Sequence, residues 1–298
     1  MDDLQTLATL LAAPEPSPQA AERSLRRLQQ RMRRPSRPRR RAWFAAGMSL
    51  AAAAAAAIVV VSGTAAPTAT PNGPPPAAVR LSAGQILLAA ATNAERAPEG
   101  SGAYWYVKTG SDGGEGWESW TARDGRGTWV RGKKTAGKVV ELGMPAPLRL
   151  GGLEVGFEQL RKLPAEPEAL KSWISDGLER GDVKTSAGRL DAAGQAHAVF
   201  NGLVSLVSQL PASPEVRAAA FRALAAYPAV ESLGAVDGGE GLLIPVAEGP
   251  PVRLVVDPAT SRVRNTSFFV TADGGEVFLV DKPVTIDARW TDTLPDGD

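Results

Sequence analysis

Residues 117–131 read WESWTARDGRGTWVR. Trp117 to Arg123 and Thr128 to Arg131 are rich in aromatic and β-branched residues, which suit a half-buried strand. Between them lies Asp124-Gly125-Arg126-Gly127, whose glycines accept the positive φ that a tight reversal needs. The stretch therefore predicts a hairpin, and with it an antiparallel sheet. Just upstream, Tyr104-Trp105-Tyr106-Val107 has the same strand chemistry. Val139–Leu142 and Leu148–Leu150 predict short strands downstream.

Further out, the periodicity changes. Before the strands, Ser82 and Gln85 are spaced as a capping box, and Leu81 and Ile86 as a hydrophobic staple. This predicts a helix running to about Arg96. After the strands comes a helical middle. Phe157, Leu160 and Leu163 share one face. Glu166-Pro167 starts another helix, with Leu170, Trp173, Ile174 and Leu178 inward. Ala193 to Leu210 places Phe200, Leu203, Val204, Val207 and Leu210 on one stripe and ends at Pro211. Ser213-Pro214-Glu215 caps a last helix that stops near Tyr227-Pro228. Strands then return at Ala229–Leu233, Leu242–Val246, Val252–Val256, Arg262–Val270, Val277–Val280 and Val284–Trp290. Asp257-Pro258-Ala259-Thr260 turns between two of them. The order helix, strands, helices, strands predicts an α+β domain over 80–298, a curved antiparallel sheet packed by helices, rather than a βαβ plan.

The first 79 residues have a different character. Residues 1–41 hold ten Arg and four acids, a net of +6, so the formal +1 of the whole chain leaves −5 beyond residue 41. Ala42 to Ala66 carries no charge over 25 residues. As a helix this stretch is about 37 Å long, enough for a hydrocarbon core of about 30 Å. Its apolar weight comes from Trp43, Phe44, Met48, Leu50 and Ile58 to Val61, because alanine contributes little. Arg39, Arg40 and Arg41 abut the span and set its topology by the positive-inside bias. The expectation is a cytoplasmic basic segment (1–41), one transmembrane helix (42–66), a Pro-rich tether (67–79) and residues 67–298 outside the cell membrane. A cleaved signal peptide, cut near Gly63-Thr64-Ala65, is the competing reading; its charged region would be about 40 residues, far longer than usual. The arginines lack interleaved aromatics that could stack on bases, so no nucleic-acid partner is expected. Leu4, Leu7, Leu10 and Leu11 share a helical face, which suits either a solvated stub or docking to a cytoplasmic protein partner.

Composition removes several chemistries. With no cysteine, there is no disulfide, thiolate zinc site, cysteine nucleophile or cysteine-linked lipid anchor. The lone His197 lies inside a predicted helix, where a surface or half-buried residue is expected rather than a general base. No G-x-S-x-G elbow supports a triad, and no Walker motif is present. Asp-Gly-Gly-Glu occurs at 112–115, 237–240 and 273–276. Each copy lies between predicted strands and lacks regular Ca²⁺-site spacing, so hairpin loops are expected. No catalytic residue, metal or cofactor is expected. Asn265-Thr266-Ser267 matches a glycosylation sequon but falls in a predicted strand. Four tryptophans, Trp105, Trp117, Trp120 and Trp129, cluster on the first strands. They are read as packing the concave sheet face against helices, or else as lining an apolar pocket for a lipid-like ligand.

Several stretches taken together carry a resemblance. They are Leu163-Pro164-Ala165-Glu166-Pro167-Glu168-Ala169-Leu170, then 216–230 (VRAAAFRALAAYPAV), then 254–263 (LVVDPATSRV), with Tyr104-Trp105-Tyr106 and the basic N-terminus before one span. The chain resembles a family of uncharacterised actinobacterial single-pass membrane proteins, often encoded beside extracytoplasmic-function sigma factors. The resemblance implies an envelope-facing domain on a cytoplasmic stub, and a regulatory role. The element order is also similar to the half-barrels of lipoprotein carriers and of periplasmic anti-sigma co-regulators. Unlike zinc anti-sigma factors, residues 1–41 contain neither His nor Cys.

Overall fold

The computed structural model describes residues 80–110, 116–143, 146–185, 188–246, 249–271, 275–279 and 283–295. The basic segment with Arg39, Arg40 and Arg41, the apolar stretch 42–66 and the tether 67–79 lie outside them. Among the described residues no helix is long and apolar enough to cross a membrane.

The chain enters through α1 (Ala83–Arg96), and the capping box forms as the sequence predicts. The Ser82 backbone N–H donates to the Gln85 side chain at 2.8 Å, and the Gln85 N–H donates to the Ser82 hydroxyl at 3.3 Å. Of the predicted staple pair, Ile86 is buried while Leu81 stays partly exposed. The strands β1 (Tyr104–Gly110), β2 (Trp117–Ala122), β3 (Thr128–Arg131) and β4 (Val140–Glu141) follow as an antiparallel meander. The small ribbon β5 (Leu148–Leu150) and β6 (Leu153–Val155) leads into α2 (Phe157–Arg161) and α3 (Pro167–Arg180). The ribbon β7 (Lys184–Thr185) and β8 (Gly188–Arg189) precedes α4 (Ala192–Ser208) and α5 (Pro214–Ala225). Ser213 caps α5 by accepting from the Val216 N–H.

The last third supplies β9 (Glu231–Val236), β10 (Gly239–Ile244), β11 (Val252–Asp257), β12 (Arg262–Thr266), β13 (Phe268–Val270), β14 (Glu276–Phe278) and β15 (Val284–Thr291). Nine strands form one antiparallel sheet in the order β4-β3-β2-β1-β15-β12-β11-β10-β9. The α+β class with a large antiparallel sheet is thus established. Its last strand in sequence joins the two half-sheets at the centre.

The helices bury the apolar face of that sheet. Phe200, Leu203, Phe221 and Leu224 from the helices meet Leu242, Ile244, Val252, Leu254 and Val256 from the strands in one continuous core. Ala90, Ala91 and Ala94 of α1 and Ala219, Ala220 and Ala223 of α5 are all fully buried. Such small side chains let two helix backbones approach closely while excluding water.

One predicted strand divides. Arg262–Val270 breaks at Ser267 into β12, which stays in the main sheet, and β13, which pairs only with β14. The reason is local. The buried Thr266 hydroxyl donates to the Phe268 carbonyl at 2.8 Å and accepts from the Phe268 N–H at 3.0 Å. These two bonds tie the strand to itself at Ser267, where the chain leaves the main sheet and pairs onward with β14.

Candidate functional site

The division of that strand has a consequence in the sheet. β12 pairs with β15 only at Asn265↔Thr285 and Thr266↔Val284. β15 continues to Thr291, paired along its length with β1 alone. On the other side of β12, the register with β11 shifts between Val255 and Val256, leaving Arg264 as an extra residue. Bulges of this kind bend a strand and re-aim its side chains. The sheet therefore parts between Arg262–Arg264 and Asp287–Trp290. Into the gap opens a cleft of about 660 Å³, lined by the end of α4 (Leu206, Val207), the connection after it (Leu210, Ala212, Ser213) and Arg217 of α5. The rim is completed by residues 97–101 after α1 and by Phe157, Glu158 and Arg161 of α2.

One wall of the cleft is aromatic. Trp290 packs edge-on against Trp105 at 5.2 Å between ring centroids and lies 5.6 Å from Phe157. The Trp105 indole N–H donates to the Gln209 carbonyl at 2.7 Å, which satisfies its one polar atom and fixes the ring. The Arg123 guanidinium sits 4.2 Å from the Trp290 ring centroid and donates to the Gly100 carbonyl at 3.1 Å.

The remaining charge is unbalanced. Six arginines (123, 161, 217, 262, 264 and 289) line the cleft against three acids, Glu99, Glu158 and Asp287. Arg161 pairs with Glu158 at 3.5 Å and Glu99 at 3.9 Å. Asp287 is shared between Arg289 and Arg262, the latter at 3.8 Å. Arg264 reaches out of the cleft to Asp257 at 3.5 Å. Among the described residues Arg217 has no carboxylate partner, and its one hydrogen bond there is a donation to the Ala212 carbonyl at 3.2 Å. Burial, and then repulsion from Arg262, lower its hold on the proton. A guanidinium nonetheless stays charged at physiological pH, so two like charges face the cleft with half a carboxylate between them.

The four tryptophans, read as packing one sheet face against helices or else as lining an apolar pocket, divide between the two faces of the sheet. Facing residues in an antiparallel pair lie on one side of the sheet, and neighbours along a strand alternate. The registers Trp105↔Thr121, Thr109↔Trp117 and Tyr106↔Trp120↔Trp129 put Trp105 and Trp117 on the helix-covered face and Trp120 and Trp129 on the other. Only Trp105 reaches the cleft. Trp117 packs its ring against Gly132, at the far end of its strand. Trp120 and Trp129 join Tyr104 and Tyr106 on the opposite face, with centroids 5.2 Å apart for Tyr106–Trp120 and 5.5 Å for Tyr104–Trp129. The spacing of three between Trp117 and Trp120 already forbids a shared strand face, and this signal went unused. Trp290 and Arg217, the cleft's distinctive residues, gave no local sequence signal because they lie 73 positions apart, on a strand and a helix, and come to one cleft only in the fold.

That opposite face carries a closed charge network. The Tyr106 hydroxyl donates to Glu118 at 2.6 Å, Arg131 donates to the same carboxylate, and Lys108 lies 3.7 Å away. Burial works to raise the Glu118 pKa, but hydrogen bonds from Arg131 and Tyr106 outweigh it and hold the carboxyl below its usual range. Burial, followed by the bond to Glu118, pushes the Tyr106 hydroxyl well above its ordinary value.

His197 is half-buried on α4, its ring 5.6 Å from that of Phe278, and does not line the cleft. The Asp-Gly-Gly-Glu copy at 237–240 turns between β9 and β10, as expected of a hairpin. The copy at 112–115 lies outside the described residues, as does part of the third. That third copy contributes Glu276, which accepts from the Asn201 side-chain amide at 2.9 Å. Glu276 keeps part of its surface exposed, yet desolvation of its carboxyl raises its pKa despite this bond. Among the described residues no group of three His, Asp or Glu side chains is placed to hold a metal ion. Comparison with protein-family models, with curated proteins and with solved structures finds no match to the chain.

Proposed function

We propose that the chain is a membrane-anchored binding or sensor protein of the cell envelope, a regulator linked to a sigma factor, whose outer domain takes a ligand in the cleft between β12 and β15. The cleft is the observation that carries this reading. Ligand pockets are concave, largely apolar and supplied with a few convergent polar groups, and this one joins an aromatic wall to several arginines. The charged groups favour binding over catalysis, because arginine holds a charge and does not exchange protons near neutral pH. Anchorage rests on the +6 segment, the uncharged 42–66 and the proline-rich tether. The link to a sigma factor rests on the family resemblance alone.

Protease treatment of intact spheroplasts tests the layout. An N-terminal tag on residues 1–41 should survive while residues 67–298 are digested; digestion of the tag would reverse the topology. Crosslinking and co-purification of the full chain tests the regulatory part, which fails if no cytoplasmic protein is recovered. A second reading is a lipid carrier or chaperone module, favoured by the apolar side of the cleft at Trp105, Phe157, Leu206, Leu210 and Trp290. It predicts that lipid stays bound when the purified chain is examined by native mass spectrometry.

A further inference from the structure

Resting on the reading of the cleft as a binding site, we infer that its ligand is an anionic amphiphile. The acidic head, a phosphate or carboxylate, is held by Arg217 and Arg262, and the apolar body lies against Trp105, Phe157 and Trp290.

Arg217 and Arg262 repel one another, and the nearest acid, Asp287, is already bonded to Arg289 and stands 3.8 Å from Arg262. A buried charge is normally paired, since leaving it without a counter-ion is costly. Arg217 meets that demand with one backbone carbonyl. Its guanidinium has five N–H donors in a planar fork that matches two oxygens of a phosphate or carboxylate. An anion placed between the two arginines turns the repulsion into two attractions.

Three other arginines of the cleft meet carboxylates: Arg161 has two glutamates, Arg264 has Asp257 and Arg289 has Asp287. Arg123 has none among the described residues, but its guanidinium already lies over the Trp290 ring and is bonded to Gly100. That leaves Arg217, where α5 begins, with Arg262 in the same lining, as the place for an anion. Trp105, Phe157 and Trp290 form an apolar wall of the same cleft. An ion without an apolar body would leave that wall wet, and a neutral lipid would leave Arg217 unpaired. An anionic head on an apolar body satisfies both.

The test uses the full chain in zwitterionic lipid nanodiscs, with tryptophan emission as readout because Trp105 and Trp290 line the site. The probes are hexyl phosphate, hexanoate, hexanol and inorganic phosphate. Saturable binding of hexyl phosphate or hexanoate, tighter than hexanol and than inorganic phosphate and weakened by salt, is the expected result. Preference between the two acids identifies the head group. Arg217→Met and Arg262→Ala should each weaken the preferred acid at least about tenfold, the scale of a charged hydrogen bond. Arg217→Lys, which keeps the charge and loses the fork, should fall between. Arg262 is half-exposed, so its variant folds even if Arg217→Met does not; far-UV circular dichroism checks both. Equal binding of hexanol and hexyl phosphate overturns the anion site and leaves the cleft as a binding site. Inorganic phosphate binding as tightly as hexyl phosphate overturns the amphiphile. Wild-type affinity in both arginine variants overturns the assignment to Arg217 and Arg262. Silence from every probe overturns the proposal alone if native mass spectrometry still finds a retained lipid, and the binding reading with it if none is found.

Discussion

Arg131 and Arg217 are both drawn partly out of water, and they meet opposite surroundings. Arg131 shares Glu118 with Tyr106 and Lys108, and its bond to Glu118 strengthens its hold on the proton. Arg217 has a carbonyl and a repelling neighbour, and its hold is weakened. The first arrangement is closed: each charge finds its complement inside the chain, so it serves to fix strands β1, β2 and β3 in register. The second is open, and the missing complement must come from outside. Partial burial of an arginine therefore says little until its partners are counted.

The sharpest way to break the comparison is to open the closed network. Glu118→Ala strands Arg131 and the Tyr106 hydroxyl and should cost about 3 kcal/mol of stability, somewhat offset by water reaching Arg131. Urea unfolding measures it, and a loss below about 1 kcal/mol would class the network with ordinary surface pairs. The next largest effect has the opposite sign. Arg217→Met removes an unpaired charge and should raise stability by about 1 kcal/mol while weakening anion binding at least about tenfold. A destabilised Arg217→Met protein with intact binding would erase the distinction between the two sites.

Smaller effects come from pH. The Glu118 pKa lies below the ordinary glutamate value of 4.5, so its contribution is complete above 4.5 and is lost as pH falls through the lowered value. Glu276 behaves the other way. Its raised pKa makes the folded state hold a proton that the unfolded chain releases, so stability present below 4.5 is lost as pH rises through the raised value. Thermal midpoints against pH should show Glu118→Gln flattening the loss on the acid side and Glu276→Gln flattening the loss toward neutrality, the latter with a gain at pH 7. An unchanged profile for Glu276→Gln would mean that this carboxyl is solvated. The smallest effect is expected at His197. His197→Ala should leave hexyl phosphate affinity unchanged, since the ring does not line the cleft; lost affinity would extend the site along α4.

Much of the fold was legible because it depends on local patterns. Asp124-Gly125-Arg126-Gly127 turns between β2 and β3, Ser82 and Gln85 cap α1, and Ser213-Pro214 opens α5, each by rules that act within four residues. The cleft was illegible for the converse reason. Arg262–Val270 has uniform strand character, and its break depends on one hydroxyl bonding two residues ahead. Arg217 looks like any polar residue on an amphipathic helix; what singles it out is the absence of an acid on strands more than forty residues away. Tryptophan clustering in sequence misled because period-two alternation sends Trp117 and Trp120 to opposite faces.

The central position of β15 bears on how the domain assembles. β1 pairs with a strand about 180 residues later, Tyr104 opposite Thr291. Until Val284–Thr291 docks, the β1–β4 meander and the β9–β12 meander each present a bare inner edge. Closing so long a loop is entropically costly and slow, and topologies dominated by distant pairings fold late and expose strand edges meanwhile. The interval before β15 arrives is therefore when the chain is most open to edge-to-edge association with another copy.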